Sequence, residues 1–262
     1  MKKLKIILLT ILLMPGINAL AQKTINDEYP TAMGHLQINT PQVNLNTINY
    51  SETRTDTLKI YNVWNQKMSL SILNLPEHIT CKLIPELLLP NQSGIVVITY
   101  DASKSNNFGP VFESISISTN DSVQLQKPLY IIANIVEDFS KLTAEQLQNA
   151  AKIKFENTTF NFGTIKEGEK IITDFIFTNE GNDELFIRKV KAGCGCTAAN
   201  ADKSQLMKNE KSFIHVLIDT KKRAGQFHKM VTVYCNDPEQ SIITLNINGK
   251  VEKAEESDLP KK

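Results

Sequence analysis

The feature that most constrains this chain is an internal repeat. A series of matching segments recurs at a spacing of roughly 117 residues, always in the same order. Leu45-Asn46-Thr47-Ile48 matches Phe162-Gly163-Thr164-Ile165, and residues 57–62 match 174–179. Residues 95–101 match 213–219, and 116–121 match 232–237. Leu129-Tyr130-Ile131 matches Leu245-Asn246-Ile247. A period of this length is a whole domain, so one fold is used twice.

Each copy reads as short strands. Met68, Leu70 and Ile72 alternate with Ser69 and Ser71, while Ile115 and Ile117 alternate with Ser114, Ser116 and Ser118. Val231 and Val233 alternate with Thr232 and Tyr234. A strict period of two places successive side chains on opposite faces of a sheet. Turn signals such as Pro90-Asn91-Gln92, Glu167-Gly168, Asn179-Glu180-Gly181-Asn182 and Asn236-Asp237-Pro238 punctuate the runs. A parallel α/β fold needs a helix between strands, and none has room. The expectation is an all-β chain: two tandem immunoglobulin-like antiparallel β-sandwiches, over residues 35–137 and 153–253. The segment 138–152 joins them. Residues 142–153 are rich in helix formers, and Thr143 with Gln146 can close a capping box, so a short helix is expected there. A charged tail, 254–262, follows.

The N-terminus adds an address. Lys2, Lys3 and Lys5 precede an apolar run over residues 6–14, and Ala19-Leu20-Ala21 ends the stretch. That pattern is a secretory signal peptide, residues 1–21, with Gln22 as the mature N-terminus. The run is too short to span a bilayer. No Cys follows the cleavage site to carry a lipid. Loss of the three lysines takes the formal net charge from +1 to −2, which lacks the basic footprint of a nucleic-acid binder. Nothing after residue 21 reads as a membrane span. The expectation is an exported protein of the periplasm or cell envelope, with secretion to the medium open.

The second repeat resembles a large bacterial family of secreted domains with no assigned function. The residues that carry the resemblance are Phe160-Asn161-Phe162-Gly163-Thr164-Ile165, Thr178-Asn179-Glu180-Gly181 and Cys194-Gly195-Cys196-Thr197. Val233-Tyr234-Cys235-Asn236-Asp237-Pro238 and Ile247-Asn248-Gly249-Lys250-Val251 complete them. The resemblance implies an immunoglobulin-like fold related to Hydin-type and major-sperm-protein-type domains, whose members act mainly as scaffolds and interaction modules. Fold alone does not fix function. The first repeat shares only the strand pattern; where the Cys-Gly-Cys element would fall it has Ile79-Thr80-Cys81-Lys82. Cys235 stands at the position of Thr119.

Signatures of catalysis are sparse. There is no Gly-x-Ser-x-Gly, His-Glu-x-x-His or phosphate loop. The acidic residues scatter through turns as a solvated surface. Of His35, His78, His215 and His228, His215 lies on a strand from which it could approach a thiol site; a surface strand histidine is the simpler reading. Trp64, the only tryptophan, falls in a turn, where it serves packing or a contact. Cys81 and Cys235 share strand faces with apolar residues and read as core thiols.

Cys194 and Cys196 are the candidate binding residues. Gly193 and Gly195 let the backbone turn tightly and leave the sulfurs uncovered. Three roles stay open: a structural turn element as local disulfide or packed thiols, thiol–disulfide chemistry, or soft-metal binding. No cofactor is implied. The expected function is a non-enzymatic binding or scaffold protein, with a protein or other envelope component as partner. A thiol-redox or metal-handling role at the Cys-Gly-Cys element is the alternative.

Overall fold

The computed structural model describes residues 25–193 and 195–253. The leader 1–21, Cys194 and the tail 254–262 lie outside them. After a one-turn helix α1 (Ile25–Glu28), the first sandwich comprises β1 (Thr31–Met33), β2 (Leu36–Ile38), β3 (Gln42–Asn49), β4 (Thr53–Asn62), β5 (Met68–Leu73), β6 (Ile79–Ile84), β7 (Leu87–Leu88), β8 (Ser93–Asp101), a turn of helix α2 (Ala102–Ser105), β9 (Gly109–Thr119) and β10 (Gln126–Val136). The connecting helix α3 (Ala144–Gln148) follows. The second sandwich comprises β11 (Ile153–Phe155), β12 (Thr159–Lys166), β13 (Lys170–Asn179), β14 (Leu185–Ala192), β15 (Thr197–Ala201), β16 (Gln205–Leu206), β17 (Lys211–Asp219), β18 (Gly225–Cys235) and β19 (Ile242–Glu252). The fold is all-β, in two tandem immunoglobulin-like sandwiches.

Strand order carries the repeat into space. One sheet of the first sandwich runs β1-β2-β4-β8-β6 and the other β3-β10-β9-β5-β7. The second sandwich runs β11-β13-β17-β15 and β12-β19-β18-β14-β16, the same order without a counterpart of β1. Pairing is antiparallel except where β3 lies parallel to β10 and β12 to β19. Both parallel strands carry a bulge at the same point, where Asn46 (φ 57°) and Gly163 (φ 73°) adopt left-handed backbone. The side chain of the Asn two residues earlier accepts the N–H of each (Asn44 to Asn46, Asn161 to Gly163).

Each sandwich has its own core. Leu36, Ile38, Ile60, Val96, Ile98, Ile117 and Ile131 fill the first; Phe177, Ile214, Val231, Val233, Leu245 and Ile247 fill the second. Alternation explains the selection: one face of each strand is buried and the other is wet. Two details depart from the sequence reading. The first sandwich begins before residue 35, because β1 turns back on β2 through Gly34 (φ 64°) and buries Met33 in the core. The helix between the sandwiches is shorter than 142–153. Its capping box of Thr143 and Gln146 forms, but it stops at Asn149. Ala151 and Ile153 belong to the second core, so the chain must extend to reach β11.

Cys235 sits in that core with no exposed surface, at the register position Thr119 occupies in β9. Its Sγ lies 3.4 Å from the Gln240 carbonyl. The Thr119 hydroxyl accepts the N–H of Asp121, and Cys235 receives the equivalent contact from Asp237. Cys235→Thr should therefore fold, losing about 1–2 kcal/mol for burying a hydroxyl in an apolar layer. Chemical denaturation under reducing and oxidising conditions measures it. A variant that folds only after reduction would reveal a disulfide through Cys235.

Candidate functional site

The Cys-Gly-Cys element lies at one pole of the second sandwich, in the connection from β14 to β15. β14 ends at Ala192, and Gly193 N–H donates to the Met230 carbonyl at 3.0 Å. Cys194 is outside the described residues. Gly195 is exposed, with open space where a side chain would stand. Cys196 is half-buried and disulfide-bonded, its Sγ 3.8 Å from the Thr197 hydroxyl. Cys81 and Cys235 are free thiols, so neither is the partner of Cys196. The register gives the reason for Cys235. β14 and β18 are antiparallel, with Ile187 opposite Cys235 and Ala192 opposite Val231. The two ends of that ladder are roughly 13–16 Å apart at strand rise, and a disulfide needs Cα atoms within about 7 Å.

β17 ends at this pole. Asp219 N–H donates to the Cys196 carbonyl at 3.1 Å. The loop that follows, Thr220-Lys221-Lys222-Arg223, is held from beneath by Thr220, which is fully buried. Its hydroxyl donates to the Glu169 carbonyl at 2.6 Å and accepts the Gly168 N–H at 3.1 Å. Lys222 takes a left-handed backbone (φ 61°) and turns the chain back. Gly195, Cys196, Asp219, Lys221, Lys222 and Arg223 line one shallow depression. Three cationic residues and one carboxylate thus share the depression with Cys196.

The other cysteines lack that setting. Burial pushes the Cys81 thiol up to about 11 and the Cys235 thiol up to about 12, so both stay protonated at neutral pH. Nor does Cys81 occupy the Cys-Gly-Cys position. It pairs with Ile98 inside β6, and the corresponding residue of β15 is Ala199, opposite Val216. The backbone contact made by Cys196 belongs in the first sandwich to His78, whose carbonyl accepts from Asp101 N–H at 2.8 Å. The sequence match slipped because the loop before β6 has no landmark residue. His78 builds something different there: its Nε2 is 2.7 Å from Glu113 Oε2, and Asn107 Nδ2 donates to Glu113 Oε1 at 2.7 Å.

His215 stays away from the sulfur. It pairs across the register with Asp174, Nδ1 to Oδ1 at 2.5 Å, and lies opposite Asn200 rather than Thr197. Trp64 packs against the first core and stacks on His35, ring centroids 5.3 Å apart.

Sequence reasoning missed the buried polar residues. Asp121 and Asp237 sit under their turns with almost no exposure. Asp121 accepts from His35 N–H at 2.7 Å and Val123 N–H at 3.1 Å; Asp237 accepts from Ile153, Glu239 and Gln240 N–H. Each thus ties the start of its own sandwich to the far end of β9 or β18. The preceding asparagines act in parallel. Asn120 accepts from Ser69 N–H and donates to the Lys67 carbonyl, and Asn236 accepts from Phe186 N–H and donates to the Glu184 carbonyl. The signal was present: an Asn-Asp pair recurring at the repeat spacing exceeds what a plain turn demands.

The profile of DUF1573, described as a protein of unknown function, matches residues 153–251. A crystal structure of a protein of unknown function from Porphyromonas gingivalis W83 aligns with a TM-score of 0.54 at 14% identity, covering 83% of this chain and 100% of that one. The YadV chaperone aligns at 10% identity over 82% of this chain and 99% of its own, with a TM-score of 0.29. PapD-like domain 7 of human CEP192 aligns at 12% identity over 46% and 97%, with a TM-score of 0.34. At 14% identity the likeness to the Porphyromonas gingivalis protein speaks to fold alone. No curated protein matches the chain. No helix among the described residues is long and apolar enough to cross a membrane.

Proposed function

We propose that this chain is an exported, non-enzymatic binding or scaffold protein of the bacterial cell envelope. One observation carries the reading: the polar residues that the repeat singles out are spent on the framework. Asn62 and Asn179, Asn120 and Asn236, and Asp121 and Asp237 all bond to backbone groups of their own sandwich. What they support is surface: sheet edges at β6, β7, β15 and β16, with backbone groups able to pair with an incoming strand. The basic leader, short apolar run and Ala-x-Ala site support export. Affinity capture from native envelope, with the chain as bait, tests the reading. A stoichiometric envelope component retained at moderate salt is the expected result; recovery of bait alone would overturn it.

A second reading rests on Cys196. An oxidised, half-buried cysteine beside Gly195, in a depression also lined by Lys221, Lys222 and Arg223, suits thiol–disulfide exchange. Cys194 is the proposed partner, since Cys81 and Cys235 are free. Native thiol counting should then find two reactive groups only after mild reduction, both mapping to the Cys194–Cys196 peptide. A cross-link from either to Cys235 would refute the pairing, and metal retained after reduction would favour soft-metal handling over exchange.

A further inference from the structure

Phe108 and Tyr234 are buried without belonging to either core. Phe108 is 4% exposed and Tyr234 is 7% exposed, yet neither lies in the apolar cluster of its own sandwich. They meet each other, ring centroids 6.4 Å apart, and Tyr50 stacks on Phe108 at 4.8 Å. We propose that these residues form a third, small core, which locks the two sandwiches into one rigid unit at a fixed angle.

The joint is keyed. Gly109 has left-handed backbone (φ 73°), and a Cβ there would stand 2.0 Å from the Tyr234 hydroxyl oxygen. The phenol therefore occupies the space that only glycine leaves free. Beside it, Arg188 of the second sandwich pairs with Glu137, the residue just after β10. The Arg188 guanidinium lies over the Tyr50 ring at 5.3 Å and the Phe186 ring at 5.1 Å. Such stacking suits a planar, weakly hydrated cation. Lys191 Nζ donates to the Pro110 carbonyl at 2.7 Å, and Lys189 Nζ reaches the Asn106 carbonyl at 3.4 Å. The loop carrying Phe108 is thus held from both sides.

The internal repeat shows which of these residues the fold itself needs. Phe186 and Tyr234 correspond by register to Ser69 and Ser118, and Arg188 by sequence count to Ser71. The first sandwich presents small serines on that face; the second presents two aromatics and an arginine. Arg188 also sits at the register shift between Ile187 and Lys189, and a bulge re-aims the side chain it carries. The differences gather on the face that meets the other sandwich, as a joint requires. Interdomain surfaces are ordinarily mobile unless apolar and well packed, and this one has a desolvated aromatic centre with a charged rim.

Residual dipolar couplings on the full chain test the proposal. One alignment tensor should fit the amides of both sandwiches. In Arg188→Ala/Tyr234→Ala the two should need separate tensors, while the couplings within each sandwich still fit its own fold. Wild-type couplings that require two tensors would overturn the proposal without recourse to any variant. So would a double variant whose two sandwiches still share one tensor.

Discussion

Asp121→Ala should be among the most damaging single changes in the first sandwich, at about 3–5 kcal/mol. Asp121 and Lys127 are both fully buried, with Lys127 Nζ 3.1 Å from Asp121 Oδ2. Burial by itself would raise the carboxyl, but the N–H groups of His35 and Val123, the His35 ring and the Lys127 ammonium outweigh it and hold Asp121 well below the usual carboxylate range. Removing the carboxylate leaves the buried ammonium its bond to the Gln124 carbonyl but no counter-charge, and frees the start of β2. The lysine itself is another matter. In the second sandwich its position is Ile243, beneath an aspartate that makes do with three backbone N–H donors. Lys127→Ile should therefore cost less than about 1.5 kcal/mol. Trp64, stacked on the His35 that Asp121 holds, is the only tryptophan in the chain. Its fluorescence during denaturation isolates the first sandwich. Equal losses for both variants would refute the asymmetry. The pH dependence has a definite sign. A carboxyl depressed on folding stabilises above its unfolded value, near 4, and that contribution drains away as pH falls toward its folded value. The acid limb of the Trp64 transition should be shallower in Asp121→Ala than in wild type.

Architecture was legible in the sequence because alternation and turn chemistry are local signals. Ser114 to Ser118 declares a half-buried strand without reference to anything distant, and a repeat doubles each such statement. Lys127 was illegible for the opposite reason. A charged residue at a core-facing position contradicts the pattern, and only the fold shows that Asp121, six residues away, receives it. The joint was illegible too, since Phe108 and Tyr234 read as ordinary strand and loop aromatics until two sandwiches are set against each other. At the Cys-Gly-Cys element the sequence singled out Cys194 and Cys196 as candidates. The basic loop beside Cys196 escaped notice because Lys221 to Arg223 lies well along the chain and comes to the same depression only through the pairing of β15 with β17. Cys81 marks another limit: in a loop without landmarks, a shift of a few residues exchanges Cys196 for Ala199.

Asn179→Asp should destabilise the second sandwich at least as much as Asn179→Ala, by about 2–4 kcal/mol, although it changes a single group of the same size. Asn179 has no exposed surface. Its amide nitrogen donates to the Asp183 carbonyl at 2.8 Å and the Leu206 carbonyl at 3.1 Å, and its oxygen accepts from Gly181 N–H at 3.0 Å. One side chain thus closes the β13–β14 turn and ties it to β16 in the other sheet. Asn62 does the same in the first sandwich, donating to the carbonyls of Gln66, Leu88 and Leu89 and accepting from Trp64 N–H. Alanine removes the donor from the Asp183 and Leu206 carbonyls, and for the buried Leu206 group that costs about 1–3 kcal/mol if unsatisfied. Aspartate keeps the acceptor but turns an anionic oxygen toward those carbonyls, in a site too dry to screen it. Were Asn179 merely filling space, alanine would cost only a small cavity. The same ordering should hold for Asn62, where Trp64 fluorescence reads it directly; calorimetry of the full chain reads Asn179. Aspartate tolerated at either position, with alanine destabilising, would show that acceptance from the turn N–H groups, not donation across the sandwich, is what the fold requires.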